Sequence, residues 1–286
     1  MIDIRQSTQY ADYLKSEGWI VERIRETNYF IRKISFLGSI LKLQRPKNLE
    51  IDTLLLLAKT HKSFQIIVEP NNDKQAELLA KNGFKLSKST YLPSKTLQID
   101  LTASQNAIFS SFKKDARQSV KRGEGQVIKA YETPEQIKVW HDAWKNSVNY
   151  KRYVPKLEAL LNIKKSFPQN HSLFLASHNI VSRIIGGALF TISSHDTSNY
   201  ITYYWYGFTN EAGRTSLSQY SLLYQGILWG KKMGCKTFDF EGIYDPRFPN
   251  KSWLGFTHFK KSFGGFEAQF PGTFVLYRFP YLGSKG

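Results

Sequence analysis

The sequence predicts a mixed α/β protein made of two related halves. Strand-like runs, apolar or alternating, take turns with amphipathic helical stretches along its whole length. They do so in two rounds, and each round holds a helix stopped by glycine just before a strand: Lys81-Asn82-Gly83-Phe84 and Lys232-Met233-Gly234-Cys235. At 286 residues, 41% hydrophobic and 15% aromatic, with no low-complexity tract, the chain has the material for one large domain or two small ones.

In order, a helix is expected over 7–16, then strands over Trp19–Arg25, Tyr29–Ile34 and Ser39–Leu43, then a helix over LEIDTLLLLAKTH. A buried strand, Phe64–Val68, meets an Asn-Asn-Asp turn that supplies an N-cap for a short helix, which Gly83 closes before Phe84. STYLPSKT reads as a linker. The second round opens on strand TLQIDL (96–101) and helix SQNAIFSSFKKDARQSVKRG (104–123), followed by strand QVIKAY and two helices within 134–166. Strands HSLFLAS, RIIGGALFTI and SNYITYYWYGF lead to a long helix from Arg214 to Met233 with Gly234 as its stop. Strand TFDFEGI, a helix in GFTHFKKSFGGF and a last strand GTFVLYRF follow.

Forty Lys and Arg against 23 Asp and Glu give a formal net charge of +17, which attracts polyanions: nucleic acid, anionic headgroups or phosphorylated substrates. Charge alone does not choose among them. The N-terminal MIDIRQSTQYADYLKSEG has neither a signal-peptide nor a transit-peptide pattern, and the apolar run LLLLA is far too short to span a bilayer, so a cytoplasmic location is expected. The six histidines form no pair at metal-ligand spacing, and no P-loop or nucleophile elbow occurs, so neither metal nor cofactor is expected. The single Cys235 reads as a small buried hydrophobe.

In GFTHFKKSFGGF, Phe256, Phe259 and Phe263 share one helical face, with Lys260 on it and Lys261 pointing away. A lysine on an aromatic stripe either snorkels its ammonium to water or holds it in a cleft for an anion. In FDFEGIYD, Asp239 and Glu241 alternate with Phe238 and Phe240, which places both carboxylates on one strand face, toward solvent or toward a cleft. Lys113, Arg117 and Lys121 repeat at i, i+4, i+8 as a basic ridge beside an apolar side of Ile108, Phe112 and Ala116; the ridge is a solvated face or a phosphate-backbone contact. RIIGGA matches the R-x-x-G-x-A cradle by which acetyl-coenzyme A transferases hold a pyrophosphate. Because it runs on into LFTI, its glycines read instead as a packed strand or bulge.

These segments in order resemble the Fem family, the aminoacyl-tRNA-dependent aminoacyltransferases that add amino acids to the peptidoglycan stem peptide. LPSKTLQIDLTASQNAIFSSFKKDARQSVKRGEG resembles the family's strand and basic helix, and FDFEGI with GFTHFKKSFGGF resembles its D-F-x-G-I and F-K-x-x-F-G-G signature. EPNNDKQAELLAKNGF is similar to the last strand and helix of an N-acetyltransferase-like half. The resemblance implies two such halves, 1–94 and 95–271, facing across a cleft, with the C-terminal strand in 272–286 a candidate to return to the first. No long helical arm is found. It implies that Lys260 and Phe259 sit at the reaction centre; for the base, Asp239, Glu241 and the substrate's own carboxylate are the candidates, and the sequence does not choose among them. Arg23 and Arg152 would hold acceptor phosphates, while Glu69, Tyr206 and Lys156 would line the acceptor site. Lys113, Arg117 and Lys121 are the candidates for tRNA contact. The partners so implied are aminoacyl-tRNA and a UDP-linked or lipid-linked muropeptide precursor, the latter bringing a monomeric enzyme into peripheral contact with the inner membrane face. Two departures stand out: QRPKN lacks the glycine of the family's R-G-P-like turn, and Lys156 stands where a tyrosine is frequent. An acyl-coenzyme A N-acyltransferase on the same fold and a non-catalytic RNA-binding module are the competing readings.

Overall fold

The computed structural model describes residues 3–123, 125–148, 152–167, 169–193 and 200–278. The chain divides into two compact units.

The first unit comprises Met1–Lys95, Asp245–Asn250 and Gln269–Gly286. Helix α1 (Thr8–Ser16), capped by the Ser7 side chain, leads into an antiparallel meander of β1 (Ile20–Ile24), β2 (Thr27–Ile34) and β3 (Gly38–Gln44). Helix α2 (Ile51–Thr60) carries the chain over to β4 (Ser63–Glu69), which pairs parallel to β3, as a helical crossover requires. Asn72 caps α3 (Asp73–Lys81), and a two-residue strand β5 (Lys85–Leu86) follows. The C-terminal strand β13 (Phe274–Tyr277) lies antiparallel between β4 and β5, completing a six-stranded sheet. Tyr29, Ile31, Leu41, Leu43, Leu54, Ile66, Val68, Leu79 and Phe84 form its core.

The QRPKN turn solves its missing glycine by strain. Arg45 itself adopts φ +46, and its buried guanidinium donates to Asp3 at 2.9 Å and to the Pro93 carbonyl at 2.6 Å while lying 3.6 Å over the Phe270 ring. Burial alone would raise the Asp3 carboxyl, but Arg5 and Arg45 beside it hold it below the usual range.

The second unit comprises Thr96–Tyr244 and Lys251–Ala268. Its seven-stranded sheet runs β12-β6-β11-β10-β9-β8-β7, where β6 is Lys95–Asp100, β7 Val127–Tyr131, β8 Ser172–His178, β9 Ile184–Ser193, β10 Ile201–Thr209, β11 Thr237–Gly242 and β12 Phe266–Gln269. Among these the β10–β11 pair is parallel, and β11 pairs antiparallel to β6. The helices are α4 (Gln105–Ser111), α5 (Lys114–Arg122), α6 (Pro134–Ser147), α7 (Leu157–Ser166), α8 (Glu211–Thr215), α9 (Ser218–Lys232) and α10 (Leu254–Lys261). Among the described residues α9 is the longest helix, and no long helical arm is present.

Two of the expected helices are broken. The helix expected over 104–123 is α4 and α5, because Phe112 and Lys113 are extended, with ψ 147 and 155. The break turns Phe112 into the core, edge-on to Phe263 at 5.1 Å and to Tyr224 at 5.9 Å, and the Lys113 amide donates to the Ser262 carbonyl at 2.8 Å. Packing of one aromatic ring overrides local helix propensity there. The helix expected from Arg214 is likewise split, into α8 and α9, by Leu217 at φ +57. In RIIGGA, residues from Ile184 on lie in β9, and a Cβ on Gly187 would meet the Phe208 ring at 2.4 Å and the Trp140 indole at 2.7 Å. Gly187 therefore serves close packing under α6, and Gly186, where a Cβ would meet Ser218 Oγ at 2.8 Å, does the same beneath the start of α9, as the strand reading expects. Strand β5 is the strand expected after the Gly83 stop, cut to two residues, whereas β12 is a strand the sequence reading lacks, four residues long and directly after the Gly264-Gly265 turn.

Candidate active site

The site is built where β11 ends. Phe238 and Phe240 are fully buried in the core of the second unit, so the intervening Asp239 is carried to the other side of the strand. That side is not solvent, since Asp239 is 2% exposed. One of its oxygens accepts from Gln98 Nε2 at 2.8 Å and Thr96 Oγ1 at 3.4 Å on β6, and the other accepts from the Glu241 amide at 2.6 Å. The ladder with β6 is irregular between Asp239 and Gly242, and Glu241 takes φ +60. The simple alternation expected of FDFEGI therefore fails at Glu241. Asp239 is a buried brace for a bulge, and half-buried Glu241 is re-aimed by it.

Lys260 meets this bulge from α10. Its Nζ donates to the Gly242 carbonyl at 2.7 Å and stands 5.8 Å from the centroid of the Tyr204 ring. Burial pulls the Lys260 ammonium down to about 8, against the opposing pull of Glu241 and Asp239. Tyr204 is itself held by Gln219 Nε2 at 2.8 Å from its hydroxyl, and burial raises that hydroxyl above the ordinary tyrosine value. The lysine thus faces the protein interior and keeps its charge at neutral pH because two carboxylates stand near it.

The rest of GFTHFKKSFGGF fixes the lysine. Phe263 is fully buried, stacked 5.5 Å from Tyr220 and tilted against Phe240 at 5.4 Å, and Phe259 packs edge-on to Tyr220 at 4.8 Å. Phe256, expected on the same stripe, is exposed, because α10 covers the core only with its last turn. Lys261 points away and pairs with Glu267. Gly264 and Gly265 both have positive φ, +73 and +83, and a Cβ on either would strike the Ser111 or Gln98 carbonyl, at 2.6 and 2.2 Å. The paired glycines let the chain turn tightly over α4 and β6 directly after the lysine helix.

The structure thus brings Lys260, Asp239, Glu241 and Phe259 together. Tyr206 lies two residues past Tyr204 on β10, but a bulge between them sends Tyr204 to Gln219 on α9 and Tyr206 to Trp144 on α6, 5.3 Å away. Arg152 and Lys156 are exposed before α7, with Lys156 as its N-cap residue. In the first unit, Arg23 Nη1 donates to the Gln6 carbonyl at 2.9 Å and to Asn28 Oδ1 at 2.6 Å. Glu69 is buried and accepts from Gln44 Nε2, the Leu92 amide and Thr273 Oγ1, at 3.1, 3.0 and 3.3 Å. Burial pushes its carboxyl up, so the geometry makes it an interior tie of its own sheet.

The expected ridge is uneven. Lys113 and Lys121 are exposed, but Arg117 folds back so that its guanidinium donates to the Phe112 carbonyl and, at 3.1 Å, to the Ser110 carbonyl at the end of α4. The sequence did not mark Tyr204, Gln219 or the Gly242 carbonyl. Two hollows in the same unit, of 840 and 710 Å³, are lined around His178 and Asn210 and around Tyr224 and Ser221 respectively. Among the described residues no group of three His, Cys, Asp or Glu is placed to hold a metal, and no helix is long and apolar enough to cross a membrane.

No protein-family model matches the sequence, and no curated protein matches it. Solved structures do. The crystal structure of FemX superposes with a TM-score of 0.80 at 16% identity, covering 96% of this chain and 92% of that one. L-PGS from Bacillus licheniformis gives 0.63 at 12% identity, covering 93% and 86%. A tandem GNAT protein from the clavulanic acid biosynthesis pathway gives 0.56 at 8% identity, covering 88% and 78%. The fold is Fem-like, and it is shared with a tandem GNAT protein.

Proposed function

We propose that this chain is an aminoacyltransferase that moves an amino acid from aminoacyl-tRNA to an amine of a peptidoglycan precursor stem peptide. The observation that carries the reading is the interior-facing Lys260 ammonium, held at a β-bulge on a fold shared with FemX. In the proposed reaction the acceptor amine attacks the ester carbonyl carbon and the carbonyl electrons move onto oxygen. Collapse of the tetrahedral intermediate then expels the terminal ribose oxygen, which takes the proton the amine gives up. Aminolysis of an activated ester needs positioning more than a covalent nucleophile. Lys260 would stabilise the oxyanion and the departing oxygen, where a fixed cation in a low-dielectric setting acts most strongly.

Asp239 or Glu241 is proposed to relay the amine's proton to the departing ribose oxygen, Asp239 from within the bulge that both its oxygens hold. Phe259 is a packing partner that sets the lysine helix. Arg23, Arg152, Lys156 and Tyr206 are proposed to bind the acceptor. Arg suits diphosphate because its planar fork makes paired hydrogen bonds. Lys113 and Lys121, with Arg117 in a supporting role, are proposed for the tRNA backbone. A coenzyme A pyrophosphate has no cradle at Gly186–Gly187, where a Cβ would already collide with neighbours.

The test is incubation with charged tRNA and UDP-linked or lipid-linked muropeptide, reading mass on the acceptor. Gain of one aminoacyl residue is expected. Transfer from an acyl-coenzyme A instead, or RNA binding with no transfer, would overturn the proposal.

A further inference from the structure

The hairpin joining β2 to β3 ends in the loop Ser35-Phe36-Leu37, closed across the Ile34–Gly38 pair. At its apex Phe36 is 106% exposed and Leu37 64%. Phe36 also has φ +59, a left-handed conformation that tight hairpin loops ordinarily give to glycine or asparagine. An aromatic residue there strains the backbone and buries no surface within the chain, so folding gains from neither its conformation nor its side chain.

The surroundings are basic. Lys33 is exposed on β2, and Lys59 and Lys62 are exposed at and just past the end of α2. The Lys62 carbonyl accepts the Ser39 amide at 3.2 Å, which sets Lys62 beside the loop. On neighbouring β1, Glu22 is held by His61 at 3.2 Å. The chain as a whole carries +17.

We infer that the β2–β3 hairpin docks this protein on an anionic bilayer, with Phe36 and Leu37 entering the boundary between headgroups and acyl chains and Lys33, Lys59 and Lys62 meeting lipid phosphates. Two side chains on a narrow hairpin tip cover far less than the roughly 1,000 Å² that a stable protein interface buries. A bilayer, in contrast, accepts a wedge of any outline and rewards the basic rim. Neither signal alone holds a protein on a membrane firmly, and here both converge on one turn. The inference does not rest on Lys260 or on the transferase reading.

The experiment is flotation of the purified full chain with vesicles of phosphatidylcholine, with and without phosphatidylglycerol, at low and high salt. The wild-type chain is expected to float with the anionic vesicles and to release at high salt. The Phe36→Gly/Leu37→Ser double variant should bind on the order of tenfold more weakly, yet melt at the same or a higher temperature, because glycine suits the apex conformation. Lys33→Glu/Lys62→Glu should show a similar loss. The inference is overturned if the wild-type chain stays in the soluble fraction, if neutral vesicles bind it as tightly as anionic ones, or if the apex variant binds undiminished. It is also overturned if the chain instead self-associates through the apex, seen as concentration-dependent sedimentation that the apex variant abolishes.

Discussion

Lys260 and Glu241 form a coupled pair of costs: a cation drawn into the interior and a non-glycine residue at φ +60 that brings a carboxylate toward it. Because folded Lys260 titrates near 8, below ordinary lysine, the unfolded chain binds more protons between about 8 and the ordinary value near 10.5. Stability therefore rises with pH across that window, as the ammonium no longer has to be buried. A cation-dependent rate falls across the same window. Denaturant unfolding at pH 7 and pH 10 checks the first statement: the wild-type chain should gain on Lys260→Met as pH rises, and parallel behaviour of the two would contradict it. Glu241→Gly should raise stability by roughly 1 kcal/mol by relieving the left-handed backbone. It should also move the alkaline limb of the rate profile to lower pH, since a carboxylate that supports the ammonium is gone. A less stable variant, or an unmoved limb, would count against this view of the bulge.

At the level of elements, the broken helix at Phe112 assigns different work to neighbouring basic residues. Arg117→Ala removes two charge-assisted bonds to the carbonyls ending α4 and should cost about 1–3 kcal/mol in denaturant unfolding. Lys121→Ala, at an exposed position, should leave stability within about 0.5 kcal/mol but flatten the salt dependence of tRNA binding. The reverse pattern would return Arg117 to the ridge. Gly187→Ala should cost about 1–3 kcal/mol by overpacking against Phe208 and Trp140. Most strands and helices could be read from apolar periodicity and glycine stops, and Lys260 stood out because a charge on an aromatic face is chemically odd. What escaped the sequence was set by distant partners. The break at Phe112 follows from Phe263 and Tyr224, and the split at Leu217 from a left-handed residue that carries no turn signature. The divergence of Tyr204 and Tyr206 follows from a bulge that pairing with β9 alone defines.

Considered as a whole, the chain weaves its first unit from three stretches of sequence, and β13 occupies an interior place in that unit's sheet, between β4 and β5. Removing residues 269–286 should therefore unfold the first unit while the second, with its own core around Phe190, Phe238 and Phe263, stays folded. Hydrogen exchange read by mass spectrometry would show protection lost over β2–β4 and kept over β8–β10; loss in both units together would mean that they fold as one. The measurement that bears most directly on the proposed chemistry is single-turnover transfer from charged tRNA by the wild-type chain and Lys260→Met at saturating acceptor. The account predicts a rate lower on the order of 10² to 10³ in the variant, with acceptor affinity preserved and the chain still folded. A Lys260→Met chain that transfers at close to the wild-type rate would contradict it.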